Sequence, residues 1–276
     1  MPPIYLNHLL IFVDMDTYRA IANSDFLEHQ FAWFEERTTH DEATAMSWTG
    51  CYYYGRHTYF EFMNPESTSW APRDGMAFGV DEAQQSPLIE NMLRVHGHQQ
   101  VRRYSRSRKY NNLDIPWFWT VEISRPDTHH LITWIMAYRP EFLIQWEPDL
   151  PPTPTGITRD QILTRYRNRT RVGAIDSSSR LFQDITSVTL SLPHEEASLL
   201  THELTVYGYE AMESEGQIKY IGPDIDLIIQ YREELPAGIR AFTMKTEPLI
   251  EPATYQFSET CCLTIYKHGE AEWCLW

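Results

Sequence analysis

The sequence predicts an α+β fold assembled from βαβββ units. Three observations carry that prediction: short apolar runs rich in β-branched and aromatic residues, single helical stretches between them, and recurrence of the same element order along the chain. With 276 residues and 42% hydrophobic content the chain can bury a sizeable core, as one large domain or two ordinary ones.

The run IYLNHLLIFVD, ending at Asp14, is short and rich in Ile, Phe and Val, which favours a buried strand. Residues Thr17 to Trp33 place Tyr18, Ile21, Phe26, Leu27 and Phe31 at helical spacing, and Ser24-Asp25 suggests a break with a new N-cap. FEERTT then reads as a polar loop. SWTGCYYYG and HTYFEFMNP form a hairpin around Gly55 and Arg56, closed by Pro65.

The order recurs in GMAFGVD, the helical DEAQQSPLIENMLRVHG with Gly97 as its C-cap, and the strands QQVRRYS, PWFWTVEIS and HHLITWIMAY. Val13-Asp14 and Val80-Asp81 are offset by 67 residues, longer than the periods of solenoid repeats. Two paired units over 4–65 and 75–138 are therefore expected within residues 1–150. A proline-dense linker with the basic, amphipathic TRDQILTRYRNRTRV follows over 151–180. Residues 181–276 are expected to hold a third, partial unit, with a helix ending at Gly208, and a C-terminal hairpin turning at His268 and Gly269.

Charge and composition narrow the function. A formal net charge of −15 and a pI near 5.1 disfavour nucleic acid and anionic membrane surfaces. No apolar run reaches the roughly 18 residues that span a bilayer, and MPPIYLNHLLIFVD lacks the marks of a secretory signal. A cytoplasmic location is expected, with Cys51, Cys261, Cys262 and Cys274 as reduced thiols, since none lies in a CxxC pair. The motifs of serine hydrolases and phosphate-binding loops are missing, so no nucleotide cofactor is expected. Nine Trp and sixteen Tyr suit a cavity for flat organic groups.

NHLLIFVD, GMAFGVDEAQQSPLIENMLRVHG, FLIQWEPD and ITSVTLSLP, in that order, resemble segments of the vicinal-oxygen-chelate superfamily, in its large glyoxalase-like form. The resemblance implies curled mixed sheets around a cleft. In metal-using members it also implies one divalent ion, held by a His from a unit's first strand and a carboxylate from its last. His8 and Glu61 occupy those positions in the first unit, and His130 is the candidate third ligand; Fe, Mn, Ni and Zn all suit such donors. The second unit departs from the pattern, with Gly75 opposite His8 and no carboxylate in HHLITWIMAY.

Each candidate has a plain alternative. His8 on an apolar strand also reads as a hydrogen-bonded core histidine, Glu61 as the charge partner of Arg37 or Arg56, and His130 as a solvated loop residue. Glu61 and His8 are the catalytic candidates, since a carboxylate flanked by Phe60 and Phe62 must be solvated, paired or ligated. Tyr53, Tyr59, Trp119 and Trp134 are expected to line the cleft, and Arg103, Arg106 or Arg108, in the basic run from Arg102, to grip an anionic group. Two functions stay open: an enzyme of isomerase, lyase or dioxygenase type acting on a small molecule, or a protein that binds or sequesters one. Either is expected as a monomer or homodimer.

Overall fold

The computed structural model describes residues 2–41, 45–68, 70–110, 112–146, 157–171, 180–214, 216–231 and 236–276. Of the expected linker over 151–180, residues 151–156 and 172–179 lie outside these. Two eight-stranded mixed sheets hold the chain together. The first contains β1 (Tyr5–Phe12), β2 (Trp33–Asp41), β3 (Met46–Tyr54), β4 (Tyr59–Met63), β5 (Asp74–Val80), β6 (Val101–Tyr110), β7 (Leu113–Ile123) and β8 (Leu131–Tyr138), in the spatial order 2-3-4-1-5-8-7-6. The second contains β9 (Phe182–Ser191), β10 (Glu210–Ser214), β11 (Gln217–Ile221), β12 (Asp226–Gln230), β13 (Gly238–Thr246), β14 (Ala253–Ser258), β15 (Cys261–Tyr266) and β16 (Glu270–Leu275), ordered 10-11-12-9-13-16-15-14.

Helices α1 (Met15–Ala22), α2 (Ser86–Val95) and α5 (His194–Val206) each follow the first strand of a four-stranded unit, giving three βαβββ units. The C-terminal part goes beyond the partial unit expected there. Its third unit has all four strands, and β13 to β16 form a fourth unit that lacks a helix.

Local chemistry sets the ends of these elements. Asp14 caps α1, its side chain accepting from the backbone N–H of Asp16 at 3.0 Å and of Thr17 at 2.9 Å. The helix ends at Ala22, and after a π turn over Leu27–Phe31 the chain enters β2, where a polar loop was expected. FEERTT is a strand in which Glu35 and Arg37 pair with each other, as described below, while Glu36 on the opposite face accepts from the Tyr18 hydroxyl at 2.8 Å. Gly97 and Gly208 end α2 and α5 with φ of 95° and 89°, a conformation that costs glycine nothing.

Alternation along the strands gives the first sheet two unlike faces. Leu9, Ile11, Phe60, Phe62 and Phe78 face the second sheet and form the main core with Phe242 and Trp273; Phe62 and Trp273 have ring centroids 4.9 Å apart. Three carboxylates pin the sheets at their rims by accepting from backbone N–H groups. Asp224 takes Leu6 at 3.1 Å, Asp184 takes His57 at 2.7 Å, and Asp74 takes Phe12 at 3.0 Å and Ile239 at 2.8 Å. At Gly55 the sheets come so close that a Cβ would stand 2.2 Å from the Gln183 carbonyl oxygen.

The other face of the first sheet is concave. The sheet curls until its two edge strands meet, where Arg106 of β6 pairs with the buried Asp41 of β2. Helices α3 (Pro140–Trp146) and α4 (Arg159–Arg171) close one end, with Phe142, Ile162, Leu163 and Tyr166 packed on Tyr54, Tyr59 and Tyr138. The result is a half-barrel open at one end. Among the described residues no helix is long and apolar enough to cross a membrane.

Asp74 makes the joint between sheets sensitive to pH. Burial pushes its carboxyl from an ordinary 3.8 up to about 6, against the pull of the Phe12 and Ile239 N–H groups. A raised folded-state pKa means the folded protein holds the proton more tightly. The contribution to stability is therefore greatest in acid and falls as pH rises from about 4 to 6, by roughly 3 kcal/mol. Urea denaturation across that range is expected to show this slope in the wild type and to lose it in Asp74→Asn.

Candidate functional site

The hollow of the first sheet has a volume of about 940 Å³. Its wall follows from strand alternation: His8 and Leu10 of β1, Tyr59 and Glu61 of β4, Tyr52 of β3, Trp134 and Met136 of β8, Phe118 and Thr120 of β7. Trp48 and Trp70 meet edge to face at the open end, 5.6 Å between ring centroids.

At its centre His8 Nε2 lies 3.4 Å from Glu61 Oε1, both residues being 4% exposed. The imidazole is held from three sides. Tyr59 stacks on it at 4.3 Å and 17°, Trp134 meets it edge-on at 5.4 Å and 71°, and Nδ1–H donates to Asn7 Oδ1 at 2.9 Å. Asn7 reaches this position because the β1–β5 ladder shifts register between Leu6 and His8. With Nδ1 donating, the contact with Glu61 is attractive when a proton sits between Nε2 and the carboxylate. Burial and the charge of Glu61 push the Tyr52 phenol well up, so it stays protonated; it accepts from Trp48 Nε1 at 3.0 Å.

Of the residues singled out from the sequence, His8, Glu61, Tyr59 and Trp134 come together on this wall. Tyr53 and Trp119, expected beside them, point the other way. The Tyr53 hydroxyl donates to the Ile21 carbonyl at 3.3 Å and its ring stacks on Phe60 at 5.0 Å in the core. Trp119 packs against the core under the guanidiniums of Arg103 and Arg139, at 4.6 and 4.9 Å. Strand parity decides both: the hollow sees Tyr52 and Phe118, one residue earlier in each case. Arg103 stands at the rim, tied to Glu90 Oε2 at 2.9 Å. His130 lies apart from His8, at the start of β8, with Nδ1 2.8 Å from Glu196 of α5. Sequence reasoning passed over Trp48 and preferred Tyr53 and Trp119 to Tyr52 and Trp117, although the parity that places Tyr59 and Glu61 also places Tyr52 across the ladder from Glu61.

The donor set does not fit the ion that the resemblance implies. In the ladders, His8 pairs with Ala77 and Leu10 with Gly75, while Leu10 pairs with Glu61 and Ala77 with Trp134. The local two-fold between the halves thus carries His8 onto Gly75 and Glu61 onto Trp134. Neither counterpart can ligate a metal, and the indole fills the space a side chain at position 75 would need: a Cβ there would stand 2.7 Å from Trp134 Cζ3. Among the described residues no three His, Cys, Asp or Glu side chains converge on a point. A two-donor site beside an aromatic slab is poor ground for a tightly held ion.

The indole and the missing side chain depend on each other. Gly75→Ala is expected to lower stability by about 1–3 kcal/mol through overpacking. Adding Trp134→Leu to it should recover a large part of that loss; urea denaturation of the two single variants and the double variant checks the coupling.

Among solved structures, a hypothetical protein from Staphylococcus aureus superposes with a TM-score of 0.55 at 10% identity, covering 92% of this chain and 95% of that one. That likeness concerns the fold alone. Weaker overlaps include a mutant of 4-hydroxymandelate synthase from Streptomyces coelicolor, with a TM-score of 0.41, 14% identity, and 87% and 70% coverage. A variant of homoprotocatechuate 2,3-dioxygenase from B. fuscum gives a TM-score of 0.38 at 12% identity, covering 83% of this chain and about half, 54%, of that one. No curated protein matches the sequence. One family does, over residues 6–273, and the chain belongs to it: DUF5829, a family of unknown function.

Proposed function

We propose that this chain is a vicinal-oxygen-chelate-type protein whose hollow takes a small organic molecule with a flat apolar body, without a resident metal ion. The observation that carries the reading is the His8–Glu61 pair, buried yet set on the wall of a 940 Å³ cavity that also presents aromatic rings. Tyr52, Tyr59, Trp117 and Trp134 offer faces and edges for a planar ligand. Among the described residues His8 is the polar partner of Glu61, which leaves the carboxylate with spare acceptor capacity toward the cavity. In this reading Glu61 accepts the proton or hydrogen bond of a ligand hydroxyl, enol or acidic C–H, with His8 Nε2 standing 3.4 Å from the carboxylate.

Two measurements test it. Metal analysis of protein purified without an affinity tag is expected to find well under one equivalent of any divalent ion; a stoichiometric ion that disappears in Glu61→Gln would overturn the metal-free reading. A thermal-shift panel of flat aromatic compounds is expected to yield ligands that stabilise the wild type by about 2–3 kcal/mol at a hundredfold excess over Kd. Trp134→Ala should bind those compounds more weakly. Failure of every compound to move the transition would count against the hollow as a ligand site.

A further inference from the structure

Where α4 lies against β2 and β3, at the helix-capped end of the hollow, arginines of β2, β6 and α4 feel one another's charge. Glu35 is the carboxylate of this corner, and it is already shared: its Oε2 accepts from Arg37 at 3.2 Å and from the Tyr54 phenol at 3.1 Å, and it also pairs with Arg169 of α4. A third guanidinium, Arg108, lies over the Trp117 ring at 5.4 Å. Among the described residues Arg108 has no carboxylate partner. Burial pushes its guanidinium below the usual range, and the charges of Arg37 and Arg169 push it the same way. Beside it, the Trp117 indole N–H is buried with no acceptor.

Among the described residues Glu35 answers both Arg37 and Arg169, and no carboxylate answers the partly buried Arg108. A buried charge without a counter-charge is costly, as is a buried N–H without an acceptor. One group relieves both: an anion with several acceptor oxygens. Arg37 and Trp117 line the hollow, so such a group can reach them from inside the cavity.

We propose that this corner is the receptor for a carboxylate on the ligand, held between the Arg108 and Arg37 guanidiniums with the Trp117 indole N–H as a further donor. The ligand class is then a flat aromatic carboxylate. Its acid group lies at the inner, helix-capped end and its ring system runs along Tyr52 and Tyr59 toward the His8–Glu61 pair. The planar fork of arginine matches two carboxylate oxygens, which an ammonium cannot do as well. This rests on the reading that the hollow binds a flat organic molecule, and it adds the charge and direction of that molecule.

Calorimetric titration of the whole chain with naphthoate, and with naphthamide as its uncharged counterpart, tests the receptor. Naphthoate is expected to bind more tightly than naphthamide. Arg108→Gln should weaken naphthoate by on the order of tenfold to a hundredfold and leave naphthamide unchanged. Trp117→Phe, which keeps a ring and removes the N–H, should weaken naphthoate about several-fold, and it covers the case in which Arg108→Gln fails to fold. If acid and amide bind alike and neither variant separates them, the receptor is wrong while the hollow reading stands. If neither compound binds the wild type, both readings fall together.

Discussion

The antiparallel ladder between β1 and β5 joins the two halves of the first sheet, and the chemistry of the hollow depends on its register. Because His8 faces Ala77 and Leu10 faces Gly75, each half presents the same two positions to the same central space. A slip of one residue would turn His8 into the core and Leu9 into the cavity. The local shift at Asn7 also belongs to this ladder, and it supplies the amide oxygen that fixes the imidazole. One half fills its positions with His8 and Glu61; the other fills them with Gly75 and the indole of Trp134. The symmetric frame therefore carries an asymmetric centre, with one half polar and the other a flat apolar wall.

The second sheet has the same strand order without the same use. Its core-facing residues, among them Val188, Leu227, Phe242 and Trp273, back the first sheet. Its other face carries Thr186, Ser187, Thr243 and Thr264, partly or fully exposed, and two threonine pairs there bond to each other across strands. A sheet that is apolar on one side and hydroxyl-rich on the other can stand in water without a cover. The second sheet can thus serve as a rigid support. Asp74, Asp184 and Asp224 dock it at backbone N–H groups and hold β1, β4 and β5, the strands that shape the hollow's centre.

Much of this architecture was legible in the sequence, because the order of apolar runs, helices and capping glycines is local information. What failed was parity and pairing. Tyr52, Tyr53 and Tyr54 are chemically alike, so only the ladder with β4, in which Tyr52 faces Glu61, tells which phenols enter the cavity. Trp119 is misplaced for the same reason, in a strand whose pairing shifts between Arg106 and Ser107, opposite Pro116 and Phe118. FEERTT read as a loop because charged residues rarely line a cavity wall; in the fold Glu35 answers Arg37 on its own strand and Arg169 of α4. No spacing rule could place Arg37 near Arg108 or Arg169, since closure of the barrel and docking of α4 create that proximity.

Closure also explains how an acidic chain can hold a cationic interior. The net charge of −15 spreads over an outer surface where water and salt screen it beyond about 8 Å at physiological ionic strength. Inside the half-barrel that screening is weak, so the field a ligand meets is set by the groups lining the wall. Among the described residues these include seven arginines against five carboxylates, and most of those arginines are neutralised in pairs such as Arg106–Asp41 and Arg103–Glu90. Among the described residues the guanidinium without a carboxylate is Arg108, over the Trp117 ring that lines the hollow. An anion entering from the open end would pass paired charges before reaching Arg108. Its orientation would then follow from the one place where binding it removes a cost the empty fold already carries.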